Sequence, residues 1–498
     1  MSQQSTPAIA IVGGGFSGAM VAVHLLRMAR QPLTIYLIEP RSTVGCGVAY
    51  STALTCHLMN VPAGKISAFA DQPNHFLQWA QQISSIAGSV LAITEPLNDL
   101  NPQSFVPRKL YGRYVQAVVA EAEATAVTGV RLERVTDAAI AIKPGDRTTI
   151  LLQSGITLQV DQVVLALGNS PPRHLAIANS SFYQSDRYIH SGWSNLPHAL
   201  ASDDPVVLIG SGLTAVDWAI ALHQQGHRGT IHLISRRGLL PQQHALPQSH
   251  PLSSLSLFNL DSQATVRTCL RRVRQAVVEA MAQGKDWRSV IDGLRPLTNS
   301  IWQSLSPVEK RRFLRHLRSY WDTHRHRVAP AIAQILEDMR RSGQLQIHAG
   351  RIQAFQESAT GINVSVRQRG SQASTPVNAA WVVNCTGSEC DYRKLNHPLI
   401  QQLLQDGLVQ PDALAIGLET DSNGALIDAD CNPSTWLYTL GSTRRGQLWE
   451  TTAIPEIREQ ARGLAATLLR SIPTLATVTS SKLTASIAVA TFNGAEAS

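Results

Sequence analysis

The chain has 498 residues, 44% of them hydrophobic and 16% charged, which is typical of a globular protein too long for one hydrophobic core. Its formal charge is +8, but residues 267–341 alone hold 16 Lys/Arg against 7 Asp/Glu, so the basicity is local and argues against a nucleic-acid-binding protein. Six cysteines without a Cys-x-x-Cys pair, no secretory segment and no long apolar run predict a soluble cytoplasmic protein without a membrane span or thiol–disulfide centre.

The first ordered unit begins with the strand AIAIV, followed by GGGFSG, a helical pattern and a second strand, LTIYLIE. Gly13, Gly15 and Gly18 form a G-x-G-x-x-G motif at the start of the helix. Gly13 permits a tight turn, Gly15 leaves room for a pyrophosphate, and Gly18 lets the helix pack close to the strand. The sequence therefore predicts a dinucleotide site; the alternative is a buried turn with a helix-capping glycine.

Glu39 ends the second strand of this unit, 21 residues after Gly18. A carboxylate at this position accepts hydrogen bonds from the two ribose hydroxyls of an adenosine. A buried turn alone gives no reason for an acid there, so Glu39 favours the nucleotide interpretation.

The same pattern recurs in the middle of the chain, where the strand VVLI leads into Gly210, Gly212 and Ala215. The next strand ends at Arg236, 21 residues after Ala215, and Arg237 follows. Because arginine forms bidentate bonds to phosphate, this pair predicts selection of NADPH over NADH. The alternative is a pair of solvated arginines at a strand end.

Two nucleotide sites in one chain predict one bound flavin, FAD, and one visiting nicotinamide, NADPH. The segments VDQVVLALGNSPP and AAWVVNCTGSECD are apolar strands ending in small residues, as expected where the chain crosses between two nucleotide-binding domains. Near the C-terminus a glycine turn at Gly441 precedes a helix predicted to start between Thr452 and Glu456, with its positive end toward the flavin.

The predicted fold is α/β, with two Rossmann-like dinucleotide-binding domains and a helical insertion. The FAD-binding domain is predicted over 1–175 and again over 385–470, because the C-terminal part returns to the flavin site. The NADPH-binding domain is predicted over 176–384, with the helical insertion at about 261–345. Residues 471–498, rich in Ser, Thr and Ala, are predicted to form a flexible tail.

Ten segments spread over residues 8–470 resemble a bacterial FAD/NAD(P)-binding family. That family contains FAD-dependent urate hydroxylase, aspartate N-monooxygenase and many uncharacterised members. The segments are IVGGGFSGAMVAVHLL, GCGVAY, HLMNVPAGKISAF, FVPRKLYGRYV, LALGNSPP, LIGSGLTAVDWAIAL, ISRRGLLP, FLRHLRSYWDTHRHRVAP, VVNCTG and GQLWETTAIPEIREQA.

The resemblance implies a monooxygenase cycle, in which NADPH reduces FAD and a flavin C4a-hydroperoxide formed with O₂ hydroxylates a small polar substrate. By the same analogy Asn60 is a candidate catalytic residue that bonds near flavin N5, or else an asparagine in a turn before Pro62. His57 is either a polar lining residue or an ordinary loop residue. One departure is the stretch QSDRYIHSGWS, which matches the F-x-G-x-x-x-H fingerprint of related monooxygenases at His190 but not at its Phe and Gly positions.

The helical insertion carries Arg312, Arg315, Arg318, Arg325 and Arg327, which either recognise an anion or form a solvated face paired with acids. His324 and His326, two positions apart, point to different helix faces, so no metal site is predicted. The aromatic residues of the insertion are predicted to pack in the core and not to bind nucleic acid; they are Trp302, Tyr320 and Trp321.

Two further functions stay open at this point. One is a reductase or oxidase that passes electrons from NADPH through flavin without inserting oxygen. The other is a redox sensor that binds FAD without turnover. The expected partners are a small-molecule substrate and O₂, with no nucleic acid and no membrane, and the sequence is compatible with a homo-oligomer.

Overall fold

The computed structural model of the protein describes residues 6–86, 100–245 and 265–472. Most of the predicted flexible tail, from residue 473 onward, and the first four residues of the predicted insertion lie outside the described residues.

Sixteen strands and thirteen α-helices occur in the described part of the chain. The strands are Ala8–Val12 (β1), Leu33–Ile38 (β2), Val130–Val135 (β3), Ala139–Lys143 (β4), Thr148–Leu152 (β5), Thr157–Val160 (β6), Gln162–Leu165 (β7), Tyr188–Ile189 (β8), Val206–Ile209 (β9), Ile231–Ser235 (β10), Leu345–Ser358 (β11), Gly361–Gln368 (β12), Ser374–Ala379 (β13), Trp381–Asn384 (β14), Ala425–Ile427 (β15) and Pro433–Thr439 (β16). The helices are Phe16–Met28 (α1), Gly47–Tyr50 (α2), His75–Ile86 (α3), Arg108–Ala124 (α4), Leu213–Gln224 (α5), Val266–Ala282 (α6), Trp287–Leu294 (α7), Thr298–Ser304 (α8), Pro307–Arg312 (α9), Arg318–Arg325 (α10), Pro330–Arg341 (α11), Pro398–Gln405 (α12) and Ile454–Ser471 (α13).

The first sheet has the strand order β15-β16-β7-β1-β2-β3, and all its pairs are parallel except β15 with β16. Its central strand β1 is buried along its whole length, as its continuous apolar sequence predicts for a strand covered on both faces. Ile9 and Ile11 face the core formed with α1, α4 and α13, while Ala10 and Val12 face a second core. This second core includes α12 and the small antiparallel sheet β4-β5-β6.

The second sheet has the order β13-β12-β11-β10-β9-β14-β8. Its strands from β8 to β11 are parallel, and α5 and α11 pack against them. The long strand β11 pairs with β10 at first and then, from Gly350 onward, forms an antiparallel hairpin with β12. The two sheets confirm the predicted α/β fold with two Rossmann-like domains.

Helices follow one another between β10 and β11, where α6 to α11 occupy the described part of the predicted insertion. A π-helical turn, Phe313–Leu317, joins α9 to α10, and Pro307 stands in the first turn of α9. The aromatic prediction was wrong for Tyr320, which is 39% exposed, whereas Trp302 is buried. Across the described residues, no helix has the length and apolar character needed to cross a bilayer.

Candidate functional site

The first glycine loop lies at the carboxyl ends of β1, β2 and β7. The Gly13 N–H donates to the carbonyl of Ile38, and a Cβ at Gly13 would overlap the carbonyl oxygen of Ala166. A Cβ at Gly18 would in turn overlap the carbonyl oxygen of Gly13, so α1 packs directly on the loop. Gly15 is the N-cap of α1 and no side chain caps that helix start, which leaves its backbone N–H groups facing a site that fits a pyrophosphate.

Glu39 lies beside this loop and is 5% exposed. Its Oε2 accepts from the Gly14 N–H at 2.8 Å, and its Oε1 accepts from Arg41 Nε at 2.7 Å. Burial raises the pKa of Glu39, but the hydrogen bonds from Arg41 and Gly14 outweigh it, and the pKa lies below its ordinary value. The side chain is therefore a carboxylate at neutral pH. The backbone N–H and Nη2 of Arg41 also donate to it, each at 3.2 Å, so its four acceptor positions are taken and ribose hydroxyls would have to replace the Arg41 donors.

The C-terminal part of the chain returns to the same loop. Gly441 follows β16 and has a φ of 77°. It lies so close to α1 that a Cβ there would be 3.3 Å from Ser17 Oγ. Its N–H donates to Gln460 Oε1 at 3.1 Å, and its carbonyl accepts from Thr451 Oγ1 at 2.9 Å. These bonds fix the start of α13, one residue after Ala453, against the first glycine loop.

The second glycine loop has the same design at the carboxyl ends of β9, β10 and β14. Gly210, with a φ of 113°, donates its N–H to the carbonyl of Ile234, and a Cβ there would lie 2.7 Å from the carbonyl oxygen of Cys385. Gly212 caps α5 without any side-chain hydrogen bond and has open space where a Cβ would be, whereas Ala215 is fully buried. This loop also fits a pyrophosphate.

The two arginines after β10 have different surroundings. Arg237 donates to the Tyr320 hydroxyl at 3.1 Å and to the His316 carbonyl at 3.2 Å, and it stacks on the Tyr320 ring. Arg236 makes no comparable bond to a described residue. Its burial and then the charges of Arg318, Arg351 and Arg237 lower its pKa. The structure thus places both predicted residues beside the second loop. Of the two, Arg237 bonds to the insertion, and Arg236 has no bond to the described residues of the insertion.

A cavity of about 740 Å³, here called the crossover cavity, connects the second glycine loop with the first domain. Gly210 and Gly212 line it together with Leu175, Thr386 and Arg445. Arg445 lies four residues after Gly441 of the first site. A dinucleotide on the second loop would extend toward the first site through this cavity.

A neighbouring cavity of about 570 Å³, the arginine cavity, begins at the end of β10. Six arginines line it, from the end of β10, the π-helical turn, β11, and β12 with the turn that follows it: Arg236, Arg237, Arg315, Arg351, Arg367 and Arg369. The sequence analysis did not identify Arg351, Arg367 or Arg369, although the alternation in GINVSVRQ is a readable strand signal.

Asn60 borders a cavity of about 60 Å³, here called the Asn60 cavity, and its side-chain amide has no partner among the described residues. Its backbone carbonyl is 3.0 Å from His244 Nε2. Polar and charged groups of both domains line the cavity together with Ala453; they are Lys65, His244, Asp292, Arg295, Arg325, His326 and Arg327. His57 lies nearby in the chain with Nδ1 2.8 Å from Thr52 Oγ1, which makes it a hydrogen-bonded loop residue.

Most insertion arginines near the Asn60 cavity are paired with acids. Arg295 forms a bidentate pair with Glu456 at 2.7 and 2.9 Å, and Arg325 contacts Glu450 at 3.1 Å. The remaining pairs among the arginines named from the sequence are Arg327 with Asp292, Arg318 with Asp322, and Arg312 with Glu309. Arg315 has no such partner within the described ranges, so it is the one of the five that stays available for an anion.

One contact between the domains was not predicted. Arg108, the first residue of α4, forms a bidentate pair with Asp217 of α5 at 2.7 and 3.1 Å, and its Nε donates to the Leu58 carbonyl. The two side chains are 11% and 17% exposed. This ion pair ties the loop before Asn60 to the helix that begins at the second glycine loop.

A family model described as FAD-NAD(P)-binding matches residues 10–170. An uncharacterized protein of Mycobacterium tuberculosis is 22% identical over 94% of this chain and 96% of its own length. Nitrosuccinic acid synthase of Aspergillus oryzae is 25% identical over 46% of this chain and 40% of its own length. These findings confirm the resemblance to an FAD/NAD(P)-binding family with uncharacterised members, and they identify residues 10–170 as an FAD-NAD(P)-binding domain.

Two solved structures of similar fold are an ornithine N-hydroxylase and an L-lysine 6-monooxygenase. The ornithine N-hydroxylase of Kutzneria sp. 744, solved with reduced FAD, NADP⁺ and L-ornithine, has a TM-score of 0.60 at 15% identity over 93% of this chain and 99% of its own. The L-lysine 6-monooxygenase of Pseudomonas syringae has a TM-score of 0.60 at 14% identity over 94% of this chain and 100% of its own. The chain therefore has the two-nucleotide fold of flavoprotein oxidoreductases.

Proposed function

We propose that this chain, whose residues 10–170 belong to the FAD-NAD(P)-binding family, is an NADPH-using flavoprotein monooxygenase that hydroxylates a small polar substrate. The observation that carries the proposal is the crossover cavity, which runs from Gly210 and Gly212 to Arg445. Its course would let a nicotinamide held by the second loop meet a flavin held by the first. The relative that makes nitrosuccinic acid and the shared fold with amino-acid hydroxylases support oxygen insertion over simple electron transfer.

The first site would hold FAD through the loop at Gly13 and Gly15, with Glu39 accepting from the ribose hydroxyls. When bound, FAD accepts hydride from NADPH and activates O₂ for transfer of one oxygen atom. The start of α13 would direct its positive end toward the flavin ring, since Ala453 at its N-cap borders the Asn60 cavity. The bonds of Gly441 with Gln460 and Thr451 would hold that helix start in place.

The second site would hold NADPH through Gly210 and Gly212, with Arg236 and Arg237 at the end of β10 favouring the 2′-phosphate. Ala215, in the first turn of α5, is buried, and its small side chain lets the helix start lie close to the strand end, as the pyrophosphate requires.

The Asn60 cavity is the proposed substrate site. Eight of its twelve described lining residues are polar or charged, which favours a small polar molecule over an apolar one; the other four are Val61, Pro62, Ala245 and Ala453. The cations Arg295, Arg325 and Arg327 already bond to acids, so the groups left to orient a substrate are the Asn60 amide and the Lys65 amine. Asn60 is proposed to position the substrate or the flavin edge by hydrogen bonding.

The test is product formation by the FAD-loaded protein with NADPH and ¹⁸O₂, screened over urate and amino acids. The expected result is a product heavier by one ¹⁸O atom and NADPH oxidation that increases with that substrate. Formation of one hydrogen peroxide for each NADPH oxidised, with every substrate tested, would instead indicate an oxidase or reductase. No NADPH oxidation would leave a non-catalytic FAD-binding protein.

Asn60→Ala is expected to divert electrons to hydrogen peroxide by several-fold per NADPH oxidised while FAD content is unchanged. Asn378→Ala, on the exposed part of β13, is the matched control and should keep the wild-type ratio of product to peroxide. Equal ratios in the two variants would remove Asn60 from the proposed site.

A further inference from the structure

The arginine cavity holds more positive charge than the sequence motif accounts for. Its described lining residues include six arginines and no acid. Such a concentration of like charge disfavours the folded state unless an anion or solvent compensates it. Arg236 and Arg237 account for two of these six charges, and the sequence motif does not account for the other four.

Two of these arginines oppose each other directly across a strand pair. Arg351 of β11 and Arg367 of β12 are register partners in the antiparallel hairpin. Like charges at directly opposed positions destabilise a strand pair, and no described acid bonds to either side chain. This arrangement is expected where the hairpin receives an anionic ligand.

The hairpin stands next to the end of β10. Ser235 is the register partner of Ala349, so the chain beyond both positions brings Arg236 alongside Gly350 and Arg351. Arg236 and Arg351 thus border the same cavity from two neighbouring strands.

The helical insertion closes the opposite side of the cavity. Arg315, in the π-helical turn, lines the cavity, and its side chain has no bond to a described residue. Arg318, by contrast, forms an ion pair with Asp322 at 3.4 Å. Arg237 is also engaged, through its bonds to Tyr320 and His316.

We propose that Arg236, Arg351 and Arg315 bind the 2′-phosphate of NADPH from three elements, and that Arg237 is a positioning residue. Arg237 acts by holding the π-helical turn and α10 beside the end of β10, which brings Arg315 to the phosphate. A phosphate monoester near neutral pH is largely a dianion with three acceptor oxygens, so three guanidinium groups more than offset its charge and can bond to all three oxygens. Discrimination between NADPH and NADH then depends on the hairpin and the insertion, and not on the strand-end arginines alone. The inference rests on the proposed function, since it takes the second loop to bind a nicotinamide dinucleotide.

The experiment measures the dissociation constants of NADP⁺ and NAD⁺ by calorimetry on the FAD-loaded protein. These ligands differ in the 2′-phosphate alone, and binding needs no turnover. In the wild type NADP⁺ should bind more tightly than NAD⁺. Arg351→Ala, Arg315→Ala and Arg236→Ala should each weaken NADP⁺ by about 10- to 100-fold and leave NAD⁺ within about twofold, since a charge-assisted bond contributes about 1.5–3 kcal/mol. Arg351→Lys should recover part of the loss, because it keeps the charge and lacks the fork.

Arg237→Ala is expected to weaken NADP⁺ by less than about fivefold, and its effect should vanish when Arg315 is already alanine. Arg341→Ala, which removes an exposed arginine paired with Asp338 outside the cavity, is the control and should change neither constant. Equal weakening of NADP⁺ and NAD⁺ by Arg351→Ala would overturn the proposal, as would independent effects of Arg237 and Arg315. A wild type that prefers NADP⁺ as described but never oxygenates a substrate would contradict the proposed function and leave this inference intact.

Discussion

Two glycines of the second loop differ in how much space surrounds them. A methyl group at Gly210 would meet the carbonyl oxygen of Cys385 at 2.7 Å in a backbone conformation that alanine rarely adopts. A methyl group at Gly212 would enter open space at a φ of −84°. The first glycine is therefore needed for folding, whereas the second leaves the space that the proposed function assigns to the dinucleotide.

Gly210→Ala is expected to lower the melting temperature by several degrees, because the strain must be relieved by moving β14 or the loop. Gly212→Ala should leave the melting temperature within about one degree and raise the dissociation constant of NADP⁺ at least tenfold, since the methyl group fills the space predicted for the pyrophosphate. Thermal denaturation and calorimetry measure the two effects. A Gly212→Ala protein that binds NADP⁺ as the wild type does would place the dinucleotide elsewhere.

The backbone geometry of the first glycine loop could be predicted from the sequence. The spacing of Gly13, Gly15 and Gly18 before Glu39 needs only the local strand–helix–strand geometry. The different surroundings of Arg236 and Arg237 could not be predicted, because Arg237 bonds to Tyr320, about 80 residues later in the chain. The pairing of Arg351 with Arg367 likewise depends on strand register, which short alternating patterns specify weakly.

At the level of elements, the ion pair between α4 and α5 connects the two domains. Arg108 also bonds to the Leu58 carbonyl, so the pair reaches the loop that carries Asn60. Breaking one side of a half-buried pair leaves an uncompensated charge, which is more destabilising than removing both sides.

Arg108→Ala is expected to lower the melting temperature more than the double variant Arg108→Ala/Asp217→Ala does. Both variants should slow flavin reduction by NADPH while dithionite still reduces the flavin fully, because the pair positions one domain on the other and does not bind FAD. Stopped-flow absorbance with each reductant gives the comparison. Unchanged reduction by NADPH in both variants would show that this pair has no part in domain placement.

Elements were predicted best where an apolar strand, a glycine loop and a helix follow each other. The strands β1 and β9 and the helices α1, α5 and α13 fall where the motifs place them. The small sheet β4-β5-β6 and the hairpin β11-β12 were not predicted, since their strands are partly exposed and their partners are set by folding of the whole domain.

At the scale of the whole molecule, the described residues include four buried or half-buried histidines whose pKa burial lowers from 6.5 to about 4: His24, His232, His244 and His326. In the unfolded chain these histidines take up protons near pH 6.5, and in the folded protein they do so near pH 4. The unfolded state therefore binds more protons between these values, and stability falls as the pH decreases from about 6.5 to about 4.

The melting temperature is thus expected to decrease as the pH falls from about 6.5 to about 4. Above pH 6.5 these histidines should change it little. His24→Asn should make the decrease shallower, whereas the exposed His198→Asn should not change its slope. A melting temperature independent of pH between 6.5 and 4 would contradict the assignment of these histidines as neutral. Scanning calorimetry across this range provides the test.

Across the whole molecule, the crossover cavity reaches from the second glycine loop to Arg445, four residues after Gly441, and the proposed function requires electron transfer from NADPH on the second loop to FAD on the first. Stopped-flow absorbance of the FAD-loaded protein, mixed without oxygen with NADPH or with NADH, tests this transfer directly. We expect rapid loss of the oxidised-flavin band with NADPH, a much slower loss with NADH at the same concentration, and return of the band when O₂ is added. Flavin that stays oxidised under both nucleotides would contradict it.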